Sequence, residues 1–289
     1  MTADPTLTAR FEAARPRLGA IAYRMLGSLD DAEDVVQEAW LRLSTSAIGD
    51  IDNLDAWLTT VVARICLNTL RSRRVRAGEE LVAQVPDPIV ESDGEFDPEH
   101  RAMLGDAVGL ALFVVLNTLP PAERLAFVLH DAFAVPFDQI AAIVQRSPEA
   151  TRKLASRARR RIQQADLVPD SDLTAQHDAV AAFFAAGRGG DFDRLVAVLH
   201  PEVVLHGDFG GGTPGFRAQG ATSVAELARG YAGPEREVRT AVVNGAAGAV
   251  VFIAGRAVAV MGFLVRDSRI AAIDVLADPD RLARLDLRV

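Results

Sequence analysis

The sequence predicts a multidomain protein: two all-α domains, the second carrying a helix-turn-helix, followed by an α+β domain. Three observations carry this. Apolar residues recur at helical spacing over residues 6–76 and again over 102–165. Residues 77–101 break the pattern with Glu79, Glu80, Asp87, Glu91, Asp93, Glu95, Asp97 and Glu99 among prolines 86, 88 and 98, the composition of a linker. From residue 172 onward, helical runs give way to short strand-like runs.

In the first domain, Ala32, Val35, Val36, Ala39, Trp40 and Leu43 form one apolar stripe. Ser28, with Asp31 three residues on, marks the helix start. Glu33, Asp34, Gln37, Glu38 and Arg42 occupy the opposite face. A second helix begins near Leu54 with Leu58, Val61 and Ile65 inward, and Thr60, Arg64, Asn68 and Arg71 on another face.

In the second domain, Leu119-Pro120-Pro121 ends one helix and opens the next. Phe137–Val144 reads as a short helix, Gln145-Arg146 as a turn, and Ser147-Pro148 as an N-cap followed by proline at the first helical position. The helix that follows buries Ala150, Leu154, Ala158 and Ile162. Short helix, tight turn and basic second helix are the grammar of a helix-turn-helix.

In the third domain, two helices (173–187 and 191–199) lead to a strand at Val203-Val204-Leu205, a glycine-rich loop at 207–215 and a helix at 223–230. Strands are expected at 238–243, 249–254, 257–265 and 270–276, with Asn244-Gly245 as a hairpin turn.

The formal charge is -8, yet the chain holds two arginine concentrations. Residues 56–78 contain Arg64, Arg71, Arg73, Arg74 and Arg76 with no acid, and residues 146–161 contain six arginines and Lys153 against Glu149. Two basic helices on an acidic chain fit a protein that grips a polyanion at two points. The acidic linker has the opposite charge and could lie against either helix when the polyanion is absent. The lone cysteine, Cys66, excludes an internal disulfide framework. No apolar run approaches the ~20 residues of a membrane span, and the N-terminus lacks the pattern of a signal peptide, so the cytoplasm is the expected compartment. No ligand cluster points to a metal or a cofactor, and no catalytic dyad stands out.

Residues 22–28 (AYRMLGS), 31–42 (DAEDVVQEAWLR), 56–64 (AWLTTVVAR), 119–124 (LPPAER) and 154–160 (LASRARR) resemble the sigma-70 family of bacterial transcription initiation factors, in its extracytoplasmic-function group. The remaining third resembles a SnoaL-like cone of curved sheet and helices. In that subgroup a linker motif and a terminal motif are matched by Val85-Pro86-Asp87-Pro88 and by Asp278-Pro279-Asp280-Arg281-Leu282. The glycine-rich loop Gly207-Asp208-Phe209-Gly210-Gly211-Gly212 is present, with Thr213 where relatives carry lysine; Gln145 stands where many carry glycine.

The resemblance implies a sigma domain 2 over 6–76, a linker over 77–101, a sigma domain 4 over 102–165 and a SnoaL-like domain over 172–289. It implies core RNA polymerase (the beta-prime clamp and the beta flap) and promoter DNA as partners. Glu33, Asp34, Gln37 and Glu38 are then the clamp-docking residues. Arg64, Asn68, Arg71, Arg73 and Arg74 face the −10 element, with Arg76 on phosphates, and the loop 44–55 lies where relatives hold a flipped base. Arg152, Lys153, Ser156, Arg157 and Arg160 face the −35 element, with Arg159, Arg160 and Arg161 suited to phosphates. His206, Asp208 and Asp274 are candidate pocket residues for a small ligand in the C-terminal domain. Asp278, Pro279, Asp280 and Arg281 form a candidate regulatory tail. The competing reading is a SnoaL-like pocket enzyme or ligand sensor tethered to a helix-turn-helix repressor.

Overall fold

The computed structural model describes residues 5–46, 53–77, 85–92, 110–165, 169–210 and 215–287. They divide into two compact units. The first holds residues 5–77 and 116–165; the second holds 85–92, 110–115 and 169–287.

In the first unit, helix α1 (Pro5–Leu26) stops at Gly27, whose φ of 71° ends the helical path. The Ser28 hydroxyl then accepts from the Asp31 N–H at 3.3 Å and starts α2 (Leu29–Thr45), as its spacing predicts. The stripe Ala32, Val35, Val36, Ala39 and Leu43 is buried. Helix α3 (Leu54–Ala77) is capped by the Asn53 side chain on the Ala56 N–H. It buries Leu54, Leu58 and Ile65 together with Val62, Cys66 and Leu67, a wider face than one stripe. Burial pushes the Cys66 thiol up to about 12, so it stays protonated and unreactive.

Helix α4 (Leu110–Thr118) contributes to both units. The rest of the second helical domain is α5 (Pro121–Phe127), running into a π turn at Val128–Ala132, then α6 (Phe137–Val144) and α7 (Pro148–Gln164). Among the described residues the largest fully buried side chain is Arg124. Its guanidinium donates twice to the Arg24 carbonyl, at 3.0 and 2.7 Å, and once to Asn117 Oδ1 at 2.5 Å. Arg24 lies in the last turn of α1, where carbonyls lack helical partners and the macrodipole is negative, so a cation there is well placed. Burial pushes Arg124 down to about 9. It remains charged near neutrality, and these three bonds take the place of its hydration. Arg24 and Arg17 also lie over the Phe133 ring, at 5.2 and 5.9 Å. The two helical domains are thereby packed into one unit.

The second unit is built on a seven-stranded sheet. Its strands are β1 (Val90–Glu91), β2 (Leu199–Asp208), β3 (Phe216–Gln219), β4 (Arg236–Val243), β5 (Ala246–Ile253), β6 (Arg256–Arg266) and β7 (Arg269–Leu276). Their order is β1-β4-β5-β6-β7-β2-β3. β4 to β7 form the expected meander, and β2 joins β7 in parallel. Helices α8 (Leu173–Gly189), α9 (Phe192–Val198) and α10 (Ala221–Tyr231) complete the domain. Strand alternation sorts the apolar residues into two sets. Leu205, Phe263 and Ile273 pack with Val180 and Phe183 of α8, whereas Val243, Val250 and Leu276 pack with Val85, Val90 and Leu110.

Two boundaries differ from the sequence reading. Residues 85–91, placed in a solvated linker, are buried, and Val90 and Glu91 pair with Val243 and Val242 of β4. The acids of the stretch obscure its apolar members Val85, Ile89 and Val90, which the sheet absorbs. Leu110–Val115, placed in the second helical domain, also belong to this unit. Leu110 packs over β6 at Gly262, where an added Cβ would lie 3.0 Å from the Leu110 Cβ. The predicted Asn244-Gly245 turn forms, with φ of 51° and 78°.

Gln145, the residue departing from glycine, ends α6 in the left-handed region at φ 57°, ψ 51°. That conformation costs about 1–2 kcal/mol for a side chain bearing Cβ, against about 0.5–1 kcal/mol of extra chain entropy lost by glycine. Gln145→Gly should therefore raise stability by about 0.5–1 kcal/mol, read as a higher Tm for the helical unit. A lowered Tm would show that the glutamine side chain contributes more than its backbone strain costs.

Candidate nucleic-acid and partner interfaces

The acidic face of α2 lies where its stripe requires. Glu33, Asp34 and Gln37 are exposed and Glu38 is half-buried. Gln37 donates to Glu33 at 3.3 Å, Arg42 pairs with Glu38 at 2.5 Å, and Arg15 lies 3.7 Å from Glu33. Asp34 has no polar partner among the described residues. Sequence reasoning missed Leu41, which is 63% exposed one turn beyond Gln37. It extends the acidic stripe with an apolar contact point. The signal was available, because Leu41 falls outside the buried set of α2.

On α3, Arg64, Asn68, Arg71 and Arg74 are exposed, and the three arginines make no ion pair among the described residues. Arg73 is different: its guanidinium sits 2.5 Å from Asp31 of α2, with both groups about one-third exposed. It braces α3 against α2 in this state. Residues 47–52 of the expected loop 44–55 lie outside the described residues, as does the Arg76 side chain.

The basic face of α7 is built by its caps. Ser147 Oγ accepts from the Ala150 N–H at 3.2 Å, and Leu154, Ala155 and Ala158 point inward. Arg152, Lys153, Ser156, Arg157 and Arg160 are all exposed, so the helix presents them on one side. Arg152 lies over the Phe137 ring at 5.6 Å, and Lys153 pairs with Glu149 at 2.7 Å. Exposed pairs of this kind hold side chains weakly. Arg157 and Arg161 converge on one acid, Arg157 through a hydrogen bond and Arg161 through a charge contact. Both reach Glu123 of α5, at 2.7 and 3.2 Å, and that carboxylate is only 8% exposed. Arg159 pairs with Asp131 at 2.6 Å. Arg160 has no partner among the described residues. Buried Glu123, which the sequence did not single out, thus sets how much of the positive charge of α7 is available.

In the second unit the three candidate pocket residues do not converge on a cavity. His206 and Asp274 are cross-strand neighbours on β2 and β7, and His206 Nδ1 lies 2.9 Å from Asp274 Oδ1. Asp208 accepts from Arg281 at 2.8 Å. A cavity of about 350 Å³ does exist, but Leu205, Phe209, Val275 and Ala277 line it. Side chains alternate along a strand, so positions 206, 208 and 274 fall on the other face.

The candidate regulatory tail is a built element. Asp278 caps the single turn α11 (Pro279–Leu282) by accepting from the Asp280 and Arg281 N–H groups. Arg281, 12% exposed, donates to Asp87 at 2.7 Å, to Asp208 at 2.8 Å and to the Val85 carbonyl at 2.7 Å. The sequence stretches 85–88, 207–210 and 278–282 therefore meet at one guanidinium. Gly211, Gly212 and Thr213 lie outside the described residues.

Residues 10–76 match sigma-70 region 2 and residues 110–162 match sigma-70 region 4. The chain is 38% identical to the ECF RNA polymerase sigma factor SigJ of Mycobacterium tuberculosis (strain H37Rv), over 96% of this chain and 94% of that one. It is 35% identical to the probable ECF RNA polymerase sigma factor SigI of Mycobacterium tuberculosis (strain CDC 1551), over 96% and 95%. The crystal structure of M. tuberculosis SigJ superposes with a TM-score of 0.74 at 35% identity, covering 97% of this chain and 100% of that one. The protein belongs to the extracytoplasmic-function (ECF) RNA polymerase sigma factors, with two helical sigma domains followed by an α+β domain. Among the described residues no helix is long and apolar enough to cross a membrane.

Neutralisation by Glu123 gives a direct test on α7. Arg160→Ala should weaken promoter-duplex binding evenly across sequences and reduce the slope of log K against log salt by about 1. Arg161→Ala removes a charge partly offset by the Glu123 it shares with Arg157, and should reduce that slope by less than Arg160→Ala. A salt titration with polymerase-bound protein separates the two, and equal slope changes would show that Glu123 releases Arg161 on DNA.

Proposed function

We propose that this sigma factor docks core polymerase through Glu33, Asp34, Gln37, Glu38 and Leu41 of α2. In the same reading α3 contacts the −10 element through Arg64, Asn68, Arg71, Arg73 and Arg74, and α7 contacts the −35 element through Arg152, Lys153, Ser156, Arg157 and Arg160. The protein acts in the cytoplasm as a specificity subunit and not as an enzyme. The exposure of most of these residues, on three helices, supports the reading. So does the position of the His206–Asp274 pair, on the face of the sheet away from the cavity, where a pocket enzyme would not place its acid–base groups.

The C-terminal domain regulates this activity by holding the segment between the two sigma domains. One observation carries that proposal: Arg281 binds Asp87 and the Val85 carbonyl, both in that segment, while Asp208 of β2 fixes its third side. Reaching two promoter elements requires the two helical domains to separate, which breaks the bonds from Arg124 to Arg24. A segment tied to the sheet by β1 and Arg281 has less reach than a free one. Partner binding that favours the tied or the free state shifts the balance in proportion to its differential affinity.

Two measurements test this function. Reversing charge at Asp34 and Glu38 together should weaken co-purification with core polymerase about tenfold or more; undiminished recovery would remove α2 as the docking face. Arg281→Ala should change promoter-dependent transcription in vitro at equal polymerase occupancy. It is a better probe than truncation at Asp278, which would also remove Leu282 from the core. A transcription profile identical to that of the unaltered protein would make the C-terminal domain a passenger.

A further inference from the structure

The cavity of the second unit has a chemistry of its own. Its volume of about 350 Å³ falls within the range of small-molecule sites, about 300–1,000 Å³. The wall is apolar: Phe183 from α8, Phe209 and Phe216 at the end of β2 and on β3, Val238 from β4, Met261 from β6 and Val275 from β7. The aromatic part is held in place. Phe209 and Phe216 stack at 5.6 Å with 15° between their planes. Phe216 lies opposite Gly207, where an added Cβ would come within 2.3 Å of the ring, so glycine at 207 lets the ring lie across β2.

Charge is one-sided at this site. Arg188 and Arg236 contribute to the lining, and no Asp or Glu is among the described lining residues. Arg188 follows Gly187 in the last turn of α8, is exposed, and has no partner among the described residues. Arg236 begins β4 and lies 5.7 Å over the ring of Tyr231, itself a lining residue and 51% exposed. Glu235, the acid next to it, is exposed and 3.7 Å away, too far for a good hydrogen bond. Two arginines at the entrance of an apolar chamber match one kind of ligand: an apolar body that fills the chamber and an anionic head that stays at the arginines.

We propose that this cavity binds a small amphipathic acid, a monocarboxylate with an aliphatic or aromatic body. The site is independent of the DNA and polymerase contacts, so its test does not rest on them. Phe209 adjoins Asp208, and Ala277, whose N–H donates to the Asp208 carbonyl at 2.7 Å, adjoins Asp278. A ligand in the chamber therefore touches residues one position from the partners of the Arg281 turn.

The test is calorimetric titration of the full-length protein with decanoate and with decan-1-ol, which share a body and differ in charge. Decanoate should bind with a Kd below about 1 mM. Arg236→Gln, at the rim and outside the core, should weaken decanoate about tenfold and change decan-1-ol by less than about twofold. Ala228→Phe, which puts a ring into the chamber, should abolish binding of both, with an unchanged Tm showing that the domain is folded. No decanoate binding up to about 1 mM would overturn the proposal. So would equal weakening of acid and alcohol by Arg236→Gln, or decanoate binding that survives Ala228→Phe.

Discussion

The architecture of the second unit turns on one largely enclosed cation. Arg281 joins residues 194 and 73 positions away in sequence, Asp87 and Asp208, and its third bond goes to a backbone carbonyl. Burying a guanidinium and two carboxylates carries a desolvation penalty of several kcal/mol per ion, which is offset only where geometry and pairing are good. The fork geometry of arginine meets that condition, whereas a lysine in the same place would present a single point charge. The pairing also explains why an acidic, proline-rich stretch can become part of a sheet. Asp87 has its countercharge inside the fold, so the apolar neighbours Val85 and Val90 can enter the core.

The same accounting of charge organises the helical unit. The arginine-rich runs look uniform in sequence, yet the fold sorts them. Arg73 is spent on Asp31, Arg157 and Arg161 share Glu123, and Arg159 has Asp131, while Arg124, outside the runs, is fully buried on the Arg24 carbonyl. Arg64, Arg71, Arg74 and Arg160 are left facing water. A count of basic residues therefore overstates what is immediately available to a polyanion, and each internal pair must open before its arginine can bind phosphate.

Much of this was legible in the residues. Explicit caps located α2 and α7, because Ser28 and Ser147 bind the backbone locally and need no tertiary information, and apolar spacing located α6. The hairpin at Asn244-Gly245 was readable for the same reason. Family motifs named the three stretches that meet at Arg281, though periodicity could not have brought them together. What remained hidden depended on partners distant in sequence. The strand β1 exists only because β4 lies beside it, and composition alone marked its residues as solvated. The pocket assignment failed through strand parity: His206, Asp208 and Asp274 are the polar residues of their strands, but their odd-numbered neighbours face the chamber. Glu123 was missed because it breaks no local pattern, whereas Leu41 was readable as an apolar residue off the buried stripe of α2.

The asparagine of the hairpin carries more than its turn. Asn244 is fully buried, its Oδ1 accepts from the Ile89 N–H at 3.1 Å, and its own N–H donates to the Ile89 carbonyl at 2.9 Å. Several dipeptides would fold the β4–β5 turn equally well, Gly-Gly and Asp-Gly among them. Glycine would leave the Ile89 N–H without that acceptor, and aspartate would put a charge at a fully buried position. Turn chemistry and strand docking are thus written into a single side chain. A hairpin that reads as interchangeable punctuation is, in this fold, an address that one upstream segment recognises.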